Sequence, residues 1–165
     1  MFNLKPLSRE AVPAALEKAV RYRLLNEPAE AESICHDVLS VDPGNQQALV
    51  TLLLALTDRF GKGYAVGEIR TQEVLQQIRD PYERDYYGGI VAERRAKALL
   101  QQGGPGCDVH AYEFLRDAMD AYERAESIRP AGNDDALLRW NACARMITQN
   151  KLTAPSRESV ELPLE

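Results

Sequence analysis

The chain has 165 residues, 45% of them hydrophobic and 27% charged, with a formal net charge of −5, which suits one domain with a core of its own. That balance argues against sequence-independent nucleic-acid binding, which needs a positive field to displace counterions, and against docking on anionic membranes. Met1 to Pro6 lack the apolar core of a secretory leader, the longest strongly apolar run is the nine residues Ala48 to Leu56, and three widely spaced cysteines make no disulfide framework, so the expectation is a soluble cytoplasmic protein.

Ser8 and Pro13 open a first helix, the proline fitting its first turn. Ala15, Ala19 and Tyr22 form its stripe, with Leu16 and Val20 beside it. Asn26-Glu27-Pro28 breaks the chain, and Pro28 starts a second helix running to about Val41 that buries Ala31, Ile34, Cys35 and Val38. Asp42-Pro43-Gly44-Asn45 is a strong turn signal. The third helix, 46 to 60, is apolar on most sides and belongs in the middle of a stack. Gly61-Lys62-Gly63 ends it. A fourth, about 65 to 79, carries Val66, Ile69, Val74, Leu75 and Ile78.

The fifth helix runs from Pro81 to Gln102. Its adjacent Gly88 and Gly89 cost about 1 kcal/mol each relative to alanine, tolerable where two helices approach closely. A loop of about eight residues, Gly103 to His110, leads to a sixth helix, 109 to 129, striped by Ala111, Leu115, Ala118, Tyr122, Ala125 and Ile128. The seventh, 134 to 149, reads Leu137, Trp140, Ala144 and Ile147, and a flexible tail is expected over 151 to 165. With no run of alternating residues the fold is expected to be all-α, with residues 1–150 as one helical domain.

One pattern occurs twice. Ala31, Cys35, Val38 and Pro43 stand at offsets 0, 4, 7 and 12, and Ala118, Tyr122, Ala125 and Pro130 repeat them. Each proline is followed by a polar turn and a new apolar stripe. This spacing, with Ala19 and Tyr22 in the helix before the first occurrence, resembles the tetratricopeptide repeat, a helix-turn-helix unit of about 34 residues. The interval of 87 between Pro43 and Pro130 is no multiple of that length, so the middle unit is irregular. The resemblance implies a right-handed α-solenoid of antiparallel pairs, about seven helices, the last one covering the exposed end. It also implies an adaptor that holds a peptide or helix of another protein in a concave groove lined by helices one, three, five and seven.

The groove residues would be Leu16, Val20 and Arg23, then Val50, Leu54 and Thr57, then Leu138, Ala142 and Arg145, with Arg94, Arg95 and Lys97 as a basic patch on the fifth helix. They suggest a ligand with apolar anchors and some acidic character. The alternative for the arginines is a solvated face whose ion pairs contribute little. The carboxylate clamp of chaperone-tail-binding members is not expected, since Lys18 is followed a turn later by Tyr22 where they carry asparagine.

Chemistry has little support. Cys107-Asp108-Val109-His110 and Cys35-His36 offer possible metal donors, but adjacent helix residues point about 100° apart, and Cys35 and Cys143 read as small buried hydrophobes. No nucleophile elbow, phosphate loop or His-Glu-x-x-His occurs, and Asp134 and Asp135 suit a helix start. Tyr82, Tyr86, Tyr87 and Trp140 read as packing. We therefore expect no catalysis, cofactor or metal, with self-association allowed for. Val160 to Glu165, apolar residues among acids, could engage a partner or a neighbouring molecule. Two other readings stay open: an obligate accessory subunit of a partner enzyme, and a small-ligand- or metal-responsive regulator using the Cys107–His110 loop.

Overall fold

The computed structural model describes residues 2–62 and 67–155. Gly63, Val66 and the tail from residue 156, all invoked above, lie outside the described residues. Among the described residues are seven α-helices: α1 (Val12–Leu24), α2 (Pro28–Val41), α3 (Gln46–Thr57), α4 (Gly67–Gln76), α5 (Pro81–Gln102), α6 (Cys107–Ser127) and α7 (Asp135–Gln149). Short 3-10 turns cover Arg9–Ala11 and Phe60–Lys62. No described helix is long and apolar enough to cross a membrane.

The helix starts follow local chemistry. Pro13, Pro28 and Pro81 occupy first turns, where the missing N–H has no intrahelical partner to lose. Asn45 caps α3, its Oδ1 accepting the Ala48 N–H at 2.9 Å, and Asp80 caps α5 through the Glu83 N–H at 2.9 Å. Asn45→Ala is expected to cost about 1 kcal/mol in urea unfolding, and Asn45→Asp, which keeps the acceptor, much less.

The ends of α3 and α4 depart from the sequence reading where side chains from outside the helix take up backbone groups. α3 stops at Thr57 instead of 60. The Leu54 carbonyl there accepts the Asp58 N–H at 2.9 Å, the Thr57 hydroxyl at 2.8 Å and Arg94 Nη1 at 3.1 Å. α4 ends at Gln76, and Arg84 Nε donates to the Ile78 carbonyl at 2.9 Å while Gln46 Oε1 accepts the Arg79 N–H at 2.8 Å. α6 begins at Cys107, so the expected eight-residue loop is the four-residue turn Gly103–Gly106. Gly103, Gly104 and Gly106 have φ of 65°, 104° and 79°, a left-handed region that glycine enters without steric cost.

Consecutive helices pack on one another, α1 also lies against α3, and α3 against α5. The most extensive pairing is α5 on α6. One core joins α1 to α5 around Ala19, Cys35, Leu49, Leu53, Ile78 and Val91. A second joins α5 to α7 around Ile90, Leu115, Tyr122, Ala136 and Cys143. Val91 serves the first core and Ile90 the second, because neighbouring helix positions diverge by about 100°. Leu152 is buried in the second core, so the chain stays packed past the end of α7. Ile69 and Ile128, expected in apolar stripes, are 73% and 50% exposed.

The repeated small positions are tightly used. Ala31, Cys35, Val38, Ala118, Tyr122 and Ala125 are all fully buried. A Cβ on Gly89 would stand 2.5 Å from the Tyr122 ring, whereas one on Gly88 would meet only Leu75 Cδ2 at 3.5 Å. The close approach of α5 and α6 therefore depends on the second glycine of the pair.

Candidate binding face

α1, α3, α5 and α7 share a line of charged side chains, and its first node lies where α3 ends. Asp58 caps the α3 C-terminus, the negative end of the helix dipole, which disfavours a carboxylate. Two arginines from other helices compensate. Arg23 from α1 grips Asp58 with both edges, Nε to Oδ2 at 2.7 Å and Nη2 to Oδ1 at 3.2 Å. Arg94 from α5 donates through Nη1 to Asp58 Oδ1, to the Thr57 hydroxyl at 2.6 Å and to the Leu54 carbonyl. Its Nε and Nη2 make no hydrogen bond among the described residues. Burial lowers Arg94 from the ordinary arginine value, Asp58 opposes that, and the charges of Arg23 and Arg139 add to it.

The second node is Glu93, which is fully buried. Its Oε1 accepts from Lys97 one turn along α5 and from Arg139 Nη1 of α7 at 3.1 Å. Its Oε2 accepts the Tyr122 hydroxyl of α6 at 2.6 Å. Burial alone would raise the Glu93 carboxyl, but the hydrogen bonds from Lys97 and Tyr122 and the charges of Lys97 and Arg139 hold it below the usual carboxylate range. Burial and the neighbouring carboxylate push the Tyr122 phenol upward, so it remains a donor.

Four cations thus surround two carboxylates, an excess of two positive charges in a chain whose net charge is −5. The second node is the more accessible: the side chains of Arg23 and Arg94 are 16% and 24% exposed, those of Lys97 and Arg139 43% and 36%. Both carboxylates are paired from within, while Arg94 keeps Nε and Nη2 for an outside acceptor. Such an arrangement can hold an anionic group by charge-assisted hydrogen bonds; it contains no nucleophile paired with a base.

The structure divides the expected patch of Arg94, Arg95 and Lys97. Arg94 and Lys97 belong to the face just described. Arg95 turns the other way and lies over the Phe60 and Phe114 rings, 5.2 and 5.7 Å from their centroids. It lines a cleft of about 440 Å³ between α4, α5 and α6, together with Arg84, Asp85 and Arg124. Thr57 is buried beneath Arg94, and Leu16 is buried in a small cluster with Val38 and Ala48. Val50 and Leu54 are half-buried against the first and second cores. Val20 is 36% and Leu138 62% exposed, Ala142 is half-buried, and Arg145 is exposed.

Sequence reasoning missed Asp58, Glu93, Arg139 and the Tyr122 hydroxyl. One local signal existed, the i,i+4 spacing of Glu93 and Lys97. Their other partners lie 29 to 46 residues away.

No protein family, curated protein or solved structure matches this chain. Its chemistry therefore has to be read from its own side chains. Burial raises the Cys35 and Cys143 thiols to about 12, so both stay protonated and unreactive. Cys107 Sγ donates to the Gly103 carbonyl at 3.0 Å, and His110 pairs with Glu113 at 3.2 Å. His36 faces Arg70 and Glu32. Among the described residues no group of three or more His, Cys, Asp or Glu side chains is placed to hold a metal ion. Tyr82 stacks on Tyr86, which meets Tyr87 edge-on, all three against the second core, and Trp140 Nε1 donates to Glu123 Oε1 at 2.9 Å.

Proposed function

We propose that the chain is a non-catalytic, cytoplasmic interaction adaptor, a small tetratricopeptide-like right-handed solenoid that binds a polypeptide segment along the face of α1, α3, α5 and α7. The ligand is an acidic segment of another protein with apolar anchors. The observation that carries this reading is the surplus of positive charge built around Asp58 and Glu93, contributed by α1, α5 and α7. The contacts of α1 with α3 and of α3 with α5 support the solenoid, as do the buried small positions at matching offsets in α2 and α6. The four-residue Gly103–Gly106 turn joins α5 and α6, of 22 and 21 residues, as a helical hairpin, which fits a stack of helix pairs.

Selection from a random peptide library tests it. The expected winners carry carboxylates interleaved with apolar residues, and Arg94→Gln with Arg139→Gln weakens them about tenfold or more, one to two charge-assisted hydrogen bonds being removed. Thermal midpoints of the variants serve as the folding control. Winners without acidic residues, or equal binding by parent and double variant, would overturn the proposal. The double variant leaves Arg95 in place, because its removal would disturb packing between Phe60 and Phe114.

A further inference from the structure

The chain itself supplies a segment complementary to this face. Residues 156–165, Ser-Arg-Glu-Ser-Val-Glu-Leu-Pro-Leu-Glu, hold one arginine and three glutamates, with Val160, Leu162 and Leu164 among them. That is the composition the face calls for, carboxylates interleaved with apolar side chains.

The packed end of the fold sets where the segment departs. Leu152 is buried in the second core, and its N–H donates to the Ile147 carbonyl at 3.0 Å, which ties the chain to the C-terminal end of α7. From Ile147 back to Arg139 is about 12 Å of helix. A ten-residue segment spans up to about 33 Å when extended, enough to run from there past Arg139 to Lys97 and Arg94.

We infer that residues 156–165 dock on the cationic face of their own chain, with Glu158, Glu161 and Glu165 meeting Arg139, Lys97 and Arg94. The tail is then a built-in competitor for the adaptor's ligand. The inference rests on the adaptor reading of that face. A short tether gives an effective concentration of about 1 mM, so a tail with an intrinsic Kd of about 0.1 mM weakens an outside ligand about tenfold.

The probe is a fluorescent synthetic peptide of residues 156–165, titrated by anisotropy against the full chain and against the full chain carrying Glu158→Lys, Glu161→Lys and Glu165→Lys. The charge-reversed chain is expected to bind the probe about tenfold more tightly than the parent. That binding is lost when Arg94→Gln and Arg139→Gln are added, and at about 0.5 M salt, where the screening length falls to about 4 Å. Equal affinity of the two chains, or no binding of the probe to either, overturns the inference. A difference that grows with the concentration of the chain assigns the tail to a second copy and overturns it too. In each of these cases library-selected acidic peptides that still depend on Arg94 and Arg139 leave the adaptor reading standing, whereas loss of both signals removes both.

Discussion

Replacing Glu93 with alanine is expected to lower the unfolding free energy by about 3 kcal/mol, a fall in the melting midpoint of about 6–12 °C for a chain of this size. The change leaves the Tyr122 hydroxyl without its acceptor inside the second core and strips Lys97 and Arg139 of their shared carboxylate. Breaking a wholly buried pair costs about 3–5 kcal/mol, and the lower end applies because Lys97 and Arg139 remain partly in water. Glu93→Gln keeps an acceptor for Tyr122 and should cost less. It also tests the titration. The folded carboxyl lies below its ordinary value of 4.5, so its contribution is present above that value and disappears as pH falls through the lower, folded one. Parent and Glu93→Gln stabilities should therefore converge as acid is added below about pH 4.5. Parallel curves down to the lowest accessible pH would show that Glu93 gains nothing from its charge.

Gly89→Ala and Gly88→Ala should shift stability in opposite directions. Alanine favours a helix over glycine by about 1 kcal/mol at either position. At Gly88 the new methyl meets only Leu75 at ordinary contact distance, so the variant should be more stable by about 0.5–1 kcal/mol. At Gly89 it would overlap three atoms of the Tyr122 ring at 2.5 to 2.9 Å. That ring cannot swing aside, since it is fully buried and its hydroxyl is bonded to Glu93. Overpacking costs typically about 1–3 kcal/mol, and contacts this short belong at the upper end, giving a net loss of about 1–2 kcal/mol after the propensity gain. Urea unfolding of the two variants side by side checks the sign. A stabilised Gly89→Ala would mean that α5 and α6 do not approach as closely as described.

Much of the helical order was legible because its signals are local. Pro28, Asp42-Pro43-Gly44-Asn45, Pro81 and the glycine turn after Gln102 each act through the φ of a single residue or the side chain of a near neighbour. The boundaries of α2 and α5 were thus readable from the chain, as was most of the buried face of α6. Two of the misjudged boundaries, the end of α3 and the end of α4, are where Arg94, Arg84 and Gln46 reach in to take up backbone groups. The binding face was less legible for the same reason. Helical geometry requires that adjacent Arg94 and Arg95 diverge, but no local rule says which of them meets Asp58, 36 residues away, and which lies over Phe60 and Phe114.

By itself, then, the sequence determined an all-α chain, the order and approximate extent of its helices, and the close approach of two of them at a glycine pair. Tertiary structure decided which glycine is in contact, that the basic residues of α5 divide between two faces, and that Asp58 and Glu93 collect four cations from three helices. Helix formation is a matter of near neighbours, set by propensity, capping and periodicity. The charge network joins residues up to 46 positions apart, and the packing of α5 against both cores brings those residues together.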